Sequence, residues 1–343
     1  MIPRIKREKL EHYMLYKEAS FADQTKGRLE EENKCDIRTD FQRDRDRILH
    51  SRAFRRLKHK TQVFISPGKD HFRTRLTHTL EVSQIARTIA RALELNEDLT
   101  EAMSLGHDLG HTPFGHSGEF VLNELNSKGF RHYEQSLRIV DLLSHRTNKQ
   151  GLNLTFEVRD GILNHSGKNQ ASTLEGRILK YADRIAYINH DIDDARSAGI
   201  ISDKDLPSEL TEILGTTNSQ RINTMISSVV NESYHKDYVR MDEKIEKATG
   251  ELRKFMFQNV YLNPVVKSEN DKIEHLITSL FEYYKKDLNR IPKENLKTYE
   301  NIDCSDEDII CDYIAGMTDV FAVKLYESLF IPVGWSKQVS YWH

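Results

Sequence analysis

Apolar residues recur along most of this chain at helical spacing. In THTLEVSQIARTIARALEL, Val82, Ile85, Ile89 and Leu93 form one stripe, the period of a helix with a single face in a core. His78 lies four residues before Val82, on that same inward face. A second helix is predicted from near Asp98, with Leu99, Met103 and Gly106 inward and Thr112-Pro113 ending it, because the residue before a proline leaves the helical region. His107 and His111 then stand one turn apart. GHSGEFVLNELNSKGF restarts a short helix in which His116 and Glu119, at i and i+3, are neighbours. A long third helix, LEGRILKYADRIAYINHDIDDA, turns Ile178, Ala182, Ile185 and Ile192 inward and sets Asp183, Tyr187 and Asp191 in a polar line at steps of four. From about Ser202 onward, charged stretches such as DEKIEKATGELRKF alternate with the apolar IICDYIAGMTDVFAVKLYESLF. That alternation predicts a helical C-terminal half docked onto the first. Strand signals are confined to short pieces around TQVFIS and LNLTFEV, so the expected fold class is all-α.

With 343 residues, 38% hydrophobic and 30% charged, the chain can bury the core of one large domain or of two. No apolar run approaches the roughly 18 residues that span a bilayer, and MIPRIKREKLEHYM has no secretory h-region. A cytoplasmic protein with no membrane partner is expected. Cys35, Cys304 and Cys311 show no CxxC spacing, which suggests neither a disulfide framework nor a thiolate zinc site; they are expected to be small buried apolar residues. A net charge of -3 argues against a general nucleic-acid footprint. In RDRDRILHSRAFRRLKHK, whose arginines and lysines invite a nucleic-acid reading, Asp44 and Asp46 interleave with Arg43, Arg45 and Arg47, so a solvated, salt-bridged helix is expected instead.

The densest chemistry lies in GHDLGHTPFGHSGE, residues 106–119. A lone histidine on an apolar face is usually a satisfied core residue, but here His78, His107-Asp108 and Asp183 sit at the margins of three buried stripes, where unpaired ionisable groups are costly. A divalent cation satisfies imidazoles and carboxylates together. Two His and two Asp suit manganese, iron, nickel, cobalt, zinc or magnesium and disfavour copper(I). Four protein ligands on a six-coordinate ion leave two positions for water and a phosphate oxygen, the pattern of a hydrolytic centre. Beside it, an imidazole such as His116 paired with a carboxylate such as Glu119 suits proton transfer or nucleophilic work; the alternative is that Glu119 merely caps the helix start.

The order His78, His107-Asp108, Asp183 resembles the H…HD…D pattern of the HD superfamily of metal-dependent phosphohydrolases. DFQRDRDRILHSRAFRRLKHKTQVF, RTRLTHTLEVSQIARTIA, GHDLGHTPFGHSGE, QSLRIV, YADRIAYINHDIDDA and DYIAGMTD are similar to the shorter bacterial branch of the deoxyguanosine triphosphate triphosphohydrolase family. That resemblance spans nearly the whole chain. It implies an HD-domain helical bundle with additional C-terminal helices: residues 1–60 contributing to pocket and subunit contacts, 61–200 the HD core, and 201–343 completing the pocket and a homo-oligomer interface. It implies His78, His107, Asp108 and Asp183 as ligands of Mn2+ or Mg2+, His111 and His116 facing the triphosphate, and Glu119 partnering His116. Arg75, Gln62, His132, Tyr187 and Asp191 become substrate contacts, Tyr187 against the deoxyribose and Asp191 on its 3′-hydroxyl. The implied reaction cleaves a deoxynucleoside triphosphate to deoxynucleoside and tripolyphosphate. Another HD nucleotidase or phosphodiesterase, or a nucleotide-sensing regulator, is the alternative. Tyr133 and Val320 stand where the family commonly has asparagine and arginine, which leaves base preference and allosteric activation open.

Overall fold

A computed structural model describes residues 2–62, 73–146, 149–300 and 302–332. Among them the chain forms sixteen α-helices. The first eight are α1 (Pro3–Met14), α2 (Asp40–Leu49), α3 (Arg52–Arg56), α4 (Arg75–Ala92), α5 (Glu97–Gly106), α6 (Gly115–Leu125), α7 (His132–Arg138) and α8 (Phe156–Asn164). They are followed by α9 (Leu174–Ser197), α10 (Ser208–Leu214), α11 (Asn218–Ser233), α12 (Glu243–Met256), α13 (Pro264–Lys286), α14 (Lys293–Leu296), α15 (Asp306–Ala315) and α16 (Asp319–Phe330). The described residues hold one sheet, the antiparallel pair β1 (His145–Arg146) and β2 (Lys149–Gln150). The fold is all-α, as the periodicity predicts.

Two apolar clusters organise these helices. In the first, Val82, Ile85 and Ile89 of α4 meet Leu99 and Met103 of α5 and Ile178, Ala182, Ile185 and Ile192 of α9. These are the predicted stripes, removed from water at about 25 cal/mol per Å² of apolar surface. The second cluster gathers Phe114, Val121 and Leu122 with Ile277, Leu280 and Phe281 of α13, Ile310 and Ile314 of α15, and Ala322 of α16. Leu109 belongs to the first and Phe114 to the second. The stretch 106–119 therefore crosses from one core to the other, and the candidate chemistry sits at that crossing.

Four local expectations change. The second helix is capped by Asn96, whose side chain accepts from Leu99 N, but it stops at Gly106 rather than at Thr112-Pro113. The Ser136 hydroxyl is the reason: it donates to His107 O at 2.6 Å and accepts from Gly110 N at 2.8 Å, replacing helical partners. LNLTFEV is not a strand; Thr155 makes one isolated bridge to Arg28, and α8 begins at Phe156. Thr61 likewise bridges only Thr74, and the rest of TQVFIS lies outside the described residues. The basic helix is less solvated than its charges suggest, because Asp44 is fully buried and held by Arg28 and by Thr155 N. Of the cysteines only Cys311 is buried; Cys304 is half-buried and its sulfur accepts from Arg138.

Candidate active site

Three elements bring the predicted ligand set together. His78 comes from the first turn of α4, His107 and Asp108 from the broken end of α5, and Asp183 from the middle of α9. His78 Nε2 lies 3.2 Å from Asp183 Oδ1 and 3.9 Å from Asp108 Oδ2. His107 Nε2 lies 3.4 Å from Asp108 Oδ1 and 3.8 Å from Asp183 Oδ1. The orientation of His107 is fixed by its other nitrogen: Nδ1 is 2.6 Å from Ser104 O, a carbonyl that only accepts, so Nδ1 carries the proton. His107 Nε2 is then a bare lone pair, buried, without a hydrogen-bond partner, facing two carboxylates. Acceptors crowding acceptors are repulsive by themselves and attractive around a cation, and a ring nitrogen anchored to a carbonyl is how ligating histidines are held. The residues fit a divalent metal. Burial opposes ionisation of Asp108 and Asp183, but the surrounding histidines outweigh it and hold both below the usual carboxylate range.

Arg75, on the first turn of α4 and fully buried, is partly committed: one amino group donates to Asp108 Oδ2 at 2.9 Å and the other to Gln62 O at 3.2 Å, while its Nε has no partner. His111 Nε2 is 3.1 Å from Asp108 Oδ1, so it donates there, and its buried Nδ1 is unpartnered. Desolvation and Arg75 push His111 well down, keeping it neutral.

His116 and Glu119 do meet on α6, His116 Nδ1 lying 3.1 Å from Glu119 Oε2. His116 is exposed in the cavity wall while Glu119 is mostly covered. Glu119 also accepts from His132 N and His132 Nδ1, at 2.8 and 2.9 Å. Burial raises the carboxyl, yet the hydrogen bonds from His116 and His132 win and hold it far below its ordinary value. The turn that starts α6 is tight, with Phe114 and Gly115 both at positive φ, 61° and 58°. A Cβ on Gly115 would stand 2.7 Å from Gln62 O, so glycine is required there.

Arg75, His78, Asp108, His111, His116 and Asp183 border one cavity of about 1100 Å³, enough for a nucleotide-sized ligand. Gln62, His132, Tyr187 and Asp191 line it as well. Burial pushes the Tyr187 phenol up to about 12. Asp191 accepts from the Tyr261 hydroxyl through one oxygen; the other is buried without a partner, and desolvation raises the carboxyl to about 7.

Sequence reasoning missed three features. His165, in the loop after α8, lines the cavity and brings its Nε2 to 3.3 Å from His132 Nε2. Lys60 is buried, with its ammonium donating to His111 O and, at 2.7 Å, to Ala315 O. Asp319 accepts from Thr61 N at 2.9 Å and from Phe114 N at 3.0 Å. The DYIAGMTD stretch thus clamps the turn that carries the histidines. Only the asparagine, glycine and serine around His165 in LNHSG hinted at its loop, and nothing local marked Lys60.

An HD domain matches residues 75–188 and a phosphohydrolase-associated domain residues 239–328. The helical fold and the His/Asp cluster are accordingly those of an HD-class phosphohydrolase. A deoxyguanosinetriphosphate triphosphohydrolase-like protein of Caldanaerobacter subterraneus is 54% identical, with 96% of each chain covered. One from Clostridium tetani is 47% identical over 95% of each, and one from Desulfatibacillum aliphaticivorans is 48% identical over 95% of this chain and 98% of that one. The chain belongs to this family of deoxyguanosinetriphosphate triphosphohydrolase-like proteins.

Proposed function

We propose that the protein hydrolyses deoxynucleoside triphosphates, dGTP or a broader set, to deoxynucleoside and tripolyphosphate. The single observation carrying the reading is the His107 lone pair, buried and facing the carboxylates of Asp108 and Asp183, two groups that border the same nucleotide-sized cavity as His116. In this reading His78, His107, Asp108 and Asp183 hold the ion, Mn2+ or Mg2+ foremost, with Fe, Co, Ni or Zn able to take the same donors. A bound divalent ion would supply Lewis-acid stabilisation of a phosphate oxygen and acidify water.

The chain's own groups do the rest. His116 stands exposed at the cavity with Nδ1 anchored on an ionised Glu119, so its Nε2 is free to hold or deliver a proton to the departing 5′ oxygen. His111, neutral and donating to Asp108 through Nε2, keeps an acceptor lone pair on its unpartnered Nδ1, which takes a hydrogen bond from a water at the phosphate end rather than giving one to a phosphate oxygen. Arg75 Nε has no partner and remains available to a phosphate oxygen. Tyr187 packs against the sugar, leaving no room for a 2′-hydroxyl, while the unpaired oxygen of Asp191 accepts the 3′-hydroxyl. His132 and Gln62 border the phosphates. In this reading the chain works as a homo-oligomer in the cytoplasm with a deoxynucleotide as substrate, and nucleic acid is the weaker candidate partner.

The test is incubation with each deoxynucleotide and Mn2+ or Mg2+, resolving tripolyphosphate from pyrophosphate and phosphate. Tripolyphosphate with free deoxynucleoside is expected. Release of monophosphate products alone would transfer the site to another HD nucleotidase chemistry.

A further inference from the structure

We propose that Glu246 is a built-in competitor for the substrate's phosphate chain: it holds Arg184 in an ion pair until phosphates displace it, and takes the arginine back as the polyphosphate product leaves. The inference rests on the reading of the cavity as a triphosphate site. Four cations line part of that cavity, Lys168 from the loop after α8 and Arg177, Lys180 and Arg184 from successive turns of α9. Arg184 directly follows Asp183 in the chain, so this row of charges begins beside the proposed ion. Arg177 donates to the carbonyls of Ala171 and Asp237, and Lys180 to those of Gly167 and Asn169. Carbonyls occupy the donors but leave the positive charges uncancelled, and a cavity wall lined by one sign of charge attracts anions.

Arg184 differs. Helix α12 presents the Glu246 carboxylate to it, and the two meet fork to fork, Nη1 to Oε1 at 2.6 Å and Nη2 to Oε2 at 2.7 Å. Both terminal nitrogens are thus committed to a carboxylate that itself lines the cavity. A phosphate presents the same bidentate pair of oxygens, so Glu246 and a phosphate cannot both hold this edge of the guanidinium. Three observations say that the pair can open. The Arg184 and Glu246 side chains keep 25% and 40% of their exposure, and an ion pair with that much access to water is weak. Arg184 Nε is buried without a partner, so the paired guanidinium is still short of an acceptor. The Tyr181 ring lies 5.0 Å from Arg184 Cζ, a face on which the guanidinium can turn while keeping its cation–π contact. Opening leaves the Glu246 carboxylate beside the bound anion, and that repulsion favours release once the bond to the nucleoside is cut.

The experiment reads binding and turnover separately. Full-length protein is titrated calorimetrically with tripolyphosphate, alongside E246Q, R184Q and the double variant, each checked for folding by circular dichroism. E246Q should bind tripolyphosphate about tenfold more tightly, the worth of a charge-assisted hydrogen bond set free, and its KM for dGTP should fall with it. R184Q should bind more weakly than the unaltered protein, and adding E246Q to it should recover less than about threefold, because the two residues are coupled. An equal gain in both backgrounds would mean that Glu246 repels anions without acting through Arg184, and overturns the proposal. Unchanged or weaker binding by E246Q also overturns it, making the pair a fixed tie between α9 and α12. Release of tripolyphosphate from dGTP with no gain in E246Q keeps the activity and removes the competitor. A gain without turnover keeps the competitor and removes the activity, and failure of every protein to bind tripolyphosphate removes both.

Discussion

At the scale of single residues, function here depends on which nitrogen or oxygen has been left without a partner. Glu119 separates orientation from metal binding, because it touches His116 and His132 but none of the four proposed ligands of the ion. Glu119→Gln keeps the shape and removes the charge. Turnover is expected to fall roughly 10²–10⁴-fold, the usual worth of a positioned acid or base, while the ion at His78 and His107 stays bound; metal analysis beside kcat checks both halves. Asp191 gives the pH test. Burial raises its carboxyl to about 7, so it is protonated below that pH and ionised above. If the ionised oxygen accepts a sugar hydroxyl, KM rises as pH falls through 7, and Asp191→Asn flattens that dependence between about pH 6 and 8. A KM profile of unchanged shape in the variant would remove Asp191 from the sugar site. That His78, His107, Asp108 and Asp183 come together was legible from residues alone, because ionisable side chains at the margin of an apolar stripe are conspicuous. His165 was not: what distinguishes it is the carbonyl of Ile162 behind it and His132 in front, and both are tertiary facts.

At the scale of elements, the long amphipathic helices could be read and the joints between them could not. The α4 and α9 stripes appear where their spacing puts them. The end of α5 does not, because a serine on α7 interrupts it, and Gly110 is needed so that the backbones can meet: a Cβ there would lie 2.2 Å from Ser136 N. Asp319 shows how a distant element holds such a joint. Its carboxylate takes the N–H groups of Thr61 and Phe114, tying α16 to the left-handed turn before α6. Asp319→Ala orphans both donors, and each buried unpaired donor costs about 1–3 kcal/mol, so a loss of about 2–6 kcal/mol is expected in denaturant unfolding. Turnover should fall further than metal occupancy, because the turn carries His111 and His116 rather than His78 or Asp183. Asp319→Asn, able to accept one of the two bonds, should recover part of both losses. If the alanine variant unfolds like the unaltered protein, the clamp carries no load.

On the scale of the whole molecule, two apolar cores meet along residues 106–119, and the proposed ion joins α4, the end of α5 and α9 within the first of them. None of the described helices is long and apolar enough to cross a membrane. A ligand that binds only the folded chain stabilises it by RT ln(1 + [L]/Kd), about 4 kcal/mol at a thousandfold excess over Kd. An unfolding entropy near 2.1 cal/mol/K per residue over 343 residues converts this to a rise of roughly 5–6 °C in Tm. Chelation should therefore lower Tm by about that amount and Mn2+ should restore it, whereas H78N should melt at the lower temperature with or without Mn2+. The shift should also be confined to the first core. Tryptic cleavage in the α4–α9 region should accelerate on chelation, while α13, α15 and α16, packed in the second cluster, keep their protection. Uniform loss of protection would mean that the crossing segment transmits the ion's stabilisation to both cores, and an unchanged Tm at zero metal content would mean that no ion links these helices.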